Sequence, residues 1–430
     1  MKTGLSRREF LRLGMAAGVA AELRPSARAK SDAGPTRLGF IGVGGRGAYL
    51  LRLSLGLKEV EVRAICDIKE AHLRRAQDIV ENLRGNSPAG YSAGPKDYRR
   101  LLGRNDIDAV VIATPMQVHA EMSVDALRAG KHAFSEVAAA CTLDECWALV
   151  EAVEETGRLY MLAENYCYTR SNMIVLNMVQ QGVFGDITYA ECGYVHDCRA
   201  IKFEPDGSLT WRGELARDNI GNLYPTHSLG PVAQWMGINR TDRLVSLVAM
   251  TTRQASIERY AAMRFGKDSP AAKVKFAVGD STSTLIRTAN GAVVDLRYDT
   301  ASARPHPTTT YLTLQGLKAS YESRDDRIWI EGMSKHVAWE PLSTYAEKYE
   351  HPQWKMWQEE AEKTGHGGTD FFPIREFIGA IRTGGPSPVN VYDAVTWSSI
   401  IPLSAASIRA GGKPVDIPDF TRGKWKTATL

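Results

Sequence analysis

The sequence lacks long apolar runs, and it has little excess charge. Its longest apolar stretch near the N-terminus, residues 13–21, is about half the roughly 20 residues that a membrane-spanning helix needs. Lys and Arg total 53 against 49 Asp and Glu, and removing the six basic and two acidic residues of 1–29 leaves 47 of each. With no basic run in that remainder, we expect neither nucleic-acid binding nor stable membrane association.

Cysteine is scarce, with six residues among 430. Their spacings match neither a zinc site nor a small disulfide scaffold, so we expect free, buried thiols in a protein that folds in a reducing cytosol. His196, Asp197 and His227 offer metal-ligand atoms, but no H-x-x-x-H pattern or cysteine pair accompanies them. The sequence therefore predicts no metal site.

Residues 1–29 have the features of an export signal. A twin-arginine motif at Arg7-Arg8 precedes the apolar run 13–21, and Ala27-Arg28-Ala29 forms a small-x-small cleavage site. This pattern predicts export of the folded protein by the twin-arginine machinery, to the periplasm or out of the cell. Residues 30–36 are predicted to be a linker.

A glycine-rich turn after the first apolar strand organises the rest of the chain. Gly42, Gly44 and Gly47 form G-x-G-x-x-G, in which the glycines allow a tight turn, close approach of a pyrophosphate and close packing of the following helix. A second apolar strand ends at Asp67, about 20 residues further on, where a carboxylate binds the adenosine ribose hydroxyls. The pattern predicts a dinucleotide site that prefers NAD to NADP.

Strands and helices alternate over residues 37–165, which we interpret as a Rossmann domain with a doubly wound parallel sheet of an α/β protein. The strands are apolar throughout, as is typical of parallel strands covered on both faces. We predict strands at 38–43, 60–66, 108–113, 131–135 and 159–163, and helices near 45–57, 69–84, 96–103, 117–129 and 142–157.

Long alternating strands follow a helix near 170–182 and define a substrate domain over residues 166–385. Strands at 187–194, 244–252, 283–300 and 309–331, the last two interrupted by turns, predict a C-terminal α+β domain with a large open, mostly antiparallel sheet. Its open face offers a surface for a second copy of the chain. Residues 386–430 are predicted to contain a last helix, near 391–410, that packs back on the Rossmann domain.

Polar residues follow several strands of the predicted parallel sheet. Ligands of such sheets bind beyond the carboxyl ends of the strands, so these residues are candidates for contact with the cofactor. Taken singly, each is equally compatible with a role in the scaffold. They are Met116, Gln117, Val118 and His119 after one strand, Glu136 and Val137 after the next, and Asn165 after the last.

Tyr224 and His227 are the candidates for proton transfer. They lie three residues apart at the start of a predicted helix (228–236), so both side chains can point from one helix end towards the cofactor. Histidine titrates near neutral pH, whereas tyrosine acts as a base only where a cation or a proton relay lowers its pKa. The alternative interpretation is ordinary helix capping.

These motifs together resemble the Gfo/Idh/MocA oxidoreductases and, in detail, glycoside hydrolase family 109, typified by bacterial α-N-acetylgalactosaminidases that carry bound NAD. The most specific segments are 42–47, 135–137, 163–166, 193–197 and 222–227. The resemblance implies NAD contacts at Arg46, Gly47, Asp67, Met116, Gln117, Val118, His119, Glu136, Val137, Asn165 and Tyr224. It implies sugar contacts at Arg199 or Tyr194, Arg212, Tyr224, Pro225, Thr226, His227 and His306.

Two departures from the wider superfamily favour the hydrolase. The dehydrogenases typically have a catalytic lysine after the glutamate, and an aspartate four residues before the histidine, where this chain has Val137 and Leu223. The resulting hypothesis is a glycosidase for terminal N-acetylgalactosamine or a related sugar, acting by an NAD⁺-assisted cycle of oxidation, elimination, water addition and reduction. The alternatives are a periplasmic NAD(P)-dependent sugar oxidoreductase and a catalytically silent sugar-binding protein.

Overall fold

The computed structural model describes residues 34–305, 310–335 and 337–427. The predicted export signal, residues 30–33 of the predicted linker, and His306 lie outside the described residues.

The N-terminal half contains a sheet of six parallel strands, which confirms the predicted doubly wound arrangement. The strands are β1 (Thr36–Ile41), β2 (Val60–Cys66), β3 (Ala89–Tyr91), β4 (Ala109–Ile112), β5 (His132–Ser135) and β6 (Tyr160–Leu162). Their spatial order is β3-β2-β1-β4-β5-β6. Strand β3 is an addition to the prediction, because Pro88 and Gly90 give its sequence the composition of a loop.

Five helices connect or flank these strands. They are α1 (Gly45–Gly56), α2 (Glu70–Arg84), α3 (Tyr98–Leu102), α4 (His119–Arg128) and α5 (Leu143–Thr156). All four residues of β4 are buried, as a strand covered on both faces requires. The strand order reverses between β1 and β4, and the crevice at such a switch point is where open α/β sheets bind their ligands.

The C-terminal half is built on a nine-stranded sheet, which confirms the predicted large, mostly antiparallel sheet. Its strands are β7 (Ile187–Val195), β8 (Leu244–Thr251), β9 (Thr282–Thr288), β10 (Val293–Asp299), β11 (Thr310–Gly316), β12 (Ala319–Glu322), β13 (Arg327–Ile330), β14 (Glu340–Pro341) and β15 (Val415–Asp416). Only the pairing of β7 with β10 is parallel among its described pairs. Residues of β9 alternate strictly between buried and exposed, so one face of the sheet packs and the other is open.

The helices of this half are α6 (Arg170–Gln180), α7 (Trp211–Asp218), α8 (Thr226–Trp235), α9 (Ser256–Phe265), α10 (Pro270–Lys273), α11 (Ala346–Tyr349), α12 (Pro352–Glu362), α13 (Phe371–Thr383), α14 (Val391–Ser398) and α15 (Ile400–Arg409). Helix α8 lies on β7 and β11, α14 on α5 of the first domain, and α15 on β8.

The prediction of one helix near 391–410 is wrong, because the chain forms α14 and α15 there. Pro402 lacks an N–H group, and its ring would clash with the carbonyl of residue 398 in a continuous helix. As predicted, this segment packs back on the Rossmann domain: α14 lies on α5, and Phe420 and Lys424 contact Trp147 and Glu154 of the same helix. Helix α15 and β15 pack against and extend the open sheet instead. All six cysteines are free thiols, and all but Cys141 are buried. No helix among the described residues is long and apolar enough to cross a membrane.

Candidate active site

The glycine-rich turn has the geometry of a dinucleotide cradle. Gly42 has a φ of +82°, and a Cβ at Gly47 would lie only 2.0 Å from the Gly42 carbonyl oxygen. At Gly44 the nearest atom to such a Cβ, in His72, would be 3.7 Å away, so the outer face of the turn is open. The first turn of α1 has neither a side-chain cap nor an acidic residue. Its N–H groups therefore fit a pyrophosphate.

A cavity of about 590 Å³ lies over this turn, at the carboxyl ends of β1, β2, β4 and β5. This volume is within the usual range for ligand sites. The cavity is lined by ten of the predicted cofactor and substrate residues: Gly42, Gly44, Arg46, Asp67, Val118, His119, Glu136, Val137, Arg212 and Tyr224. Ile68, His72 and Trp211 also line it and were not predicted.

Asp67 fastens the glycine-rich turn to the end of β2. Its Oδ2 accepts a hydrogen bond from the Val43 N–H, and its Oδ1 accepts one from the Lys69 N–H, both at 2.8 Å. Each carboxylate oxygen retains a second lone pair. The residue therefore has acceptor capacity left for ribose hydroxyls at the cavity wall.

Four predicted cofactor residues do not line this cavity. Gly47 packs beneath the turn, and Met116 is buried and lines a second cavity. The Gln117 side chain donates to the Trp211 carbonyl oxygen at 3.4 Å. Asn165 is buried and donates to Asp370, at 2.9 Å.

His119 lines the cavity, yet both of its ring nitrogens face backbone carbonyls. Nδ1 is 2.9 Å from the Ala138 oxygen and Nε2 is 2.8 Å from the Thr114 oxygen. Burial lowers the pKa of His119, which keeps the imidazole neutral. Its single N–H donates to one of these carbonyls, an arrangement typical of a packing residue.

Arg46 connects three parts of the chain at the cavity wall. Its Nε donates to Glu136 Oε1 at 2.6 Å, and its Nη2 donates to Asp370 Oδ1 at 2.7 Å. Burial alone would lower the pKa of Arg46, but the two carboxylates outweigh it and raise the pKa. Sequence reasoning missed Asp370, whose position just before α13 indicates only a helix cap.

Tyr224 lies where the large cavity meets a second cavity of about 50 Å³, with Trp211 and Arg212 also shared. Burial raises the pKa of Tyr224, the Glu136 carboxylate adds to the rise, and Arg212 opposes it. The phenol is therefore protonated at neutral pH and can donate a hydrogen bond to a ligand. At the second cavity, burial lowers the pKa of Lys202 to about 8.

His227 is held by a buried carboxylate, which the sequence did not identify as its partner. Its Nδ1 is 2.7 Å from Glu164 Oε1, and the Glu164 side chain is fully buried. The imidazole packs among Tyr166, Tyr194 and Tyr224 at centroid distances of 4.6, 5.6 and 5.0 Å. Nδ1–H donates to the carboxylate, which leaves Nε2 as the basic nitrogen.

The other predicted substrate residues divide between cavity wall and scaffold. Arg212 lies over the Trp211 ring at 4.1 Å and faces both cavities, and Tyr194 lines the smaller one. Arg199 lines neither cavity, because its guanidinium binds both oxygens of Asp197 at 2.9 and 2.7 Å. Pro225, Thr226 and His227 form the start of α8 and line neither cavity. Within residues 34–305, 310–335 and 337–427, no three His, Cys, Asp or Glu side chains cluster as metal ligands would.

Family comparisons agree with this architecture. Residues 36–164 match the family described as "Oxidoreductase family, NAD-binding Rossmann fold", so the fold and the cavity define an NAD-binding enzyme of the Gfo/Idh/MocA type. Residues 168–427 match "Glycosyl hydrolase 109, C-terminal domain". The chain belongs to glycosyl hydrolase family 109. The predicted family and the predicted cofactor, NAD, are both confirmed, and the chain is an NAD-dependent enzyme of a glycoside hydrolase family.

Relatives match over nearly the whole length. A glycosyl hydrolase family 109 protein of Solibacter usitatus (strain Ellin6076) is 39% identical over 98% of each chain. The alpha-N-acetylgalactosaminidase of Tannerella forsythia is 36% identical over 95% of this chain and 91% of its own. Among solved structures, levoglucosan dehydrogenase in complex with NADH has a TM-score of 0.70 at 22% identity, covering 89% of this chain and 99% of that one, a likeness of fold.

Proposed function

We propose that this protein is a glycosidase that cleaves terminal N-acetylgalactosamine glycosides, or glycosides of a related sugar, by an NAD⁺-assisted cycle. The name of the Tannerella forsythia relative supports the sugar. Val137 and Leu223 stand where the dehydrogenases of the superfamily typically have lysine and aspartate, which favours a hydrolase over a sugar oxidoreductase with net turnover.

The main support for this proposal is that the carboxylates beside Tyr224 and His227 already have partners. Glu136 binds Arg46 and Glu164 binds His227. A conventional glycosidase needs one carboxyl group as acid and a second as base or nucleophile. Because Arg46 is paired with Glu136 and the Glu164 side chain is fully buried, a redox-assisted cycle explains glycoside cleavage better.

The side chains around Tyr224 supply proton transfer and orientation in this proposal. Bound NAD⁺ would supply a reversible hydride acceptor for C3 of the sugar. His227 Nε2 accepts the proton of the C3 hydroxyl, and Tyr224 and Arg212 hold the sugar through hydrogen bonds. Oxidation at C3 would make the C2 proton acidic, so that its transfer to a base would expel the aglycone from C1. Water would then add at C1 as a proton returns to C2, and return of the hydride to C3 would give the free sugar without net NADH.

The first test measures cleavage and cofactor reduction together. Purified protein is expected to release p-nitrophenol from p-nitrophenyl α-N-acetylgalactosaminide, or from a related glycoside, without net accumulation of NADH. Stoichiometric NADH formation from free sugars would instead indicate the oxidoreductase. A protein that does neither would be a silent binder, and the glycosidase proposal would fail.

The second test concerns export and cofactor retention. We propose that the leader at 1–29 directs the folded protein through the twin-arginine pathway, so that NAD is bound in the cytoplasm before export. Mature protein isolated from the periplasm or medium is therefore expected to release close to one mostly oxidised NAD per chain on denaturation. Release of NADP, or full activity in nucleotide-free protein without added NAD⁺, would contradict this prediction.

A further inference from the structure

Asp370 is a buried carboxylate placed directly behind the cofactor cavity. Its Oδ1 accepts hydrogen bonds from Arg46 Nη2 at 2.7 Å and Asn165 Nδ2 at 2.9 Å. Its Oδ2 is 2.5 Å from His366 Nδ1, and the side chain is fully buried. One carboxylate therefore contacts both Arg46 and Asn165, which the family resemblance assigns to NAD binding.

The position of Asp370 in the chain would ordinarily give it another role. It precedes α13 as the N-cap residue, where an aspartate usually accepts hydrogen bonds from the first N–H groups of the helix. Its side chain makes no such bond. The carboxylate is turned instead towards side chains of the cofactor site.

The contact with Asn165 fixes the orientation of an amide. A carboxylate only accepts hydrogen bonds, so the Asn165 NH₂ group must face Asp370 and its Oδ1 must face away. Oδ1 is buried and has no hydrogen-bond partner among the described residues. Asn165 does not line the cavity, so its amide is linked to the cofactor site through Asp370, the carboxylate that also holds Arg46.

The contact with Arg46 fixes a guanidinium in the same way. Glu136 holds Nε and Asp370 holds Nη2, whereas Nη1 makes no hydrogen bond to the described residues. Arg46 itself lines the cavity. The Nη1 group of Arg46 is therefore oriented by two carboxylates, one from each domain, before any ligand binds.

We propose that Asp370 is a positioning residue for NAD retention, because it orients Arg46 and Asn165 together. The role goes beyond the glycosidase proposal, since it concerns how long the cofactor stays bound. Loss of the carboxylate frees both side chains to rotate. NAD release should then accelerate at least about tenfold, the effect of losing one hydrogen bond to a charged group.

The experiment follows NAD release from the holoprotein. Wild type, Asp370→Ala and the isosteric Asp370→Asn are desalted, incubated at one temperature, and sampled over time for protein-bound NAD, with circular dichroism as the check on folding. Both variants are expected to lose NAD faster, and Asp370→Asn carries the test if Asp370→Ala does not fold. No glycoside is present, so the result is independent of whether the protein is a glycosidase.

Asp393→Asn is the matched control. Asp393 is also a buried aspartate that binds an arginine, with Arg240 nitrogens at 2.9 and 2.8 Å, but neither residue lines the cofactor cavity. Its variant is expected to keep the wild-type release rate. A folded Asp370→Asn that retains NAD as wild type does, or an equal acceleration in Asp393→Asn, would overturn the proposal.

Discussion

Replacing His227 by alanine is expected to lower kcat for glycoside cleavage by roughly 100-fold or more, which is the usual scale for a lost general base. Nε2 is the only ring nitrogen left to accept a proton, since Nδ1 is bound to Glu164. His227 does not line the large cavity, so the variant should retain its NAD. Steady-state kinetics and NAD content are measured on the same preparation.

His132→Ala is the control for removing an imidazole. His132 begins β5 at the amino end of the strand, away from the cavity, and its ring accepts a hydrogen bond from the Leu159 N–H. Activity of His227→Ala within a few-fold of wild type would remove His227 from the mechanism.

Replacing Tyr224 by phenylalanine is expected to lower kcat less than His227→Ala does, because a protonated phenol positions the sugar. A larger loss of kcat in Tyr224→Phe would make Tyr224 the general base and His227 the positioning residue.

Replacing Glu164 by glutamine is expected to lower kcat by about 100-fold or more with little change in KM. Glutamine has the same shape, but its NH₂ group can donate to His227 Nδ1, which places the imidazole proton on Nε2. That tautomer cannot accept a proton from the sugar, and the corresponding change in a serine protease triad lowers kcat by about 10⁴-fold for the same reason. The split between kcat and KM separates loss of the base from loss of binding.

Glu350→Gln is the matched control for Glu164→Gln. Glu350 is a buried glutamate that accepts a hydrogen bond from Arg170 at 2.6 Å and does not line the described cavities. The Glu350→Gln variant should have a kcat within a few-fold of the wild-type value. If Glu164→Gln were equally active, the imidazole of His227 would not depend on the carboxylate for its orientation.

The fold and the cofactor of the NAD-binding domain could be predicted from the sequence, because the motifs that indicate them lie within short segments. Apolar strands, glycine spacing and an acidic residue at Asp67 each lie within a short segment, and parallel strands bring their carboxyl ends to one edge. Strand β3 escaped prediction because it is only three residues long and contains Gly90. Pro402 could have predicted the break between α14 and α15, because a proline there is incompatible with one continuous helix.

The contacts that orient the site are not local, and sequence patterns could not supply them. His227 meets Glu164 across 63 positions, and Arg46 meets Asp370 across 324. Arg199 fitted the family pattern as a sugar contact, yet Asp197, only two residues away, occupies its guanidinium, and the residue types alone do not show this pairing. A one-dimensional pattern indicates which residue types are present, but the partner of each charge depends on packing between domains.

The bond between Arg46 and Asp370 has a consequence for biosynthesis. The G-x-G-x-x-G turn leaves the ribosome early, but its arginine acquires its second carboxylate only after more than 300 further residues have been translated. Closing so long a loop costs conformational entropy, so we expect this contact to form late in folding. With the proposed role of Asp370, we expect a nascent chain to assemble the glycine-rich turn long before it can hold a nucleotide firmly, and a chain truncated before Asp370 would lack this contact altogether.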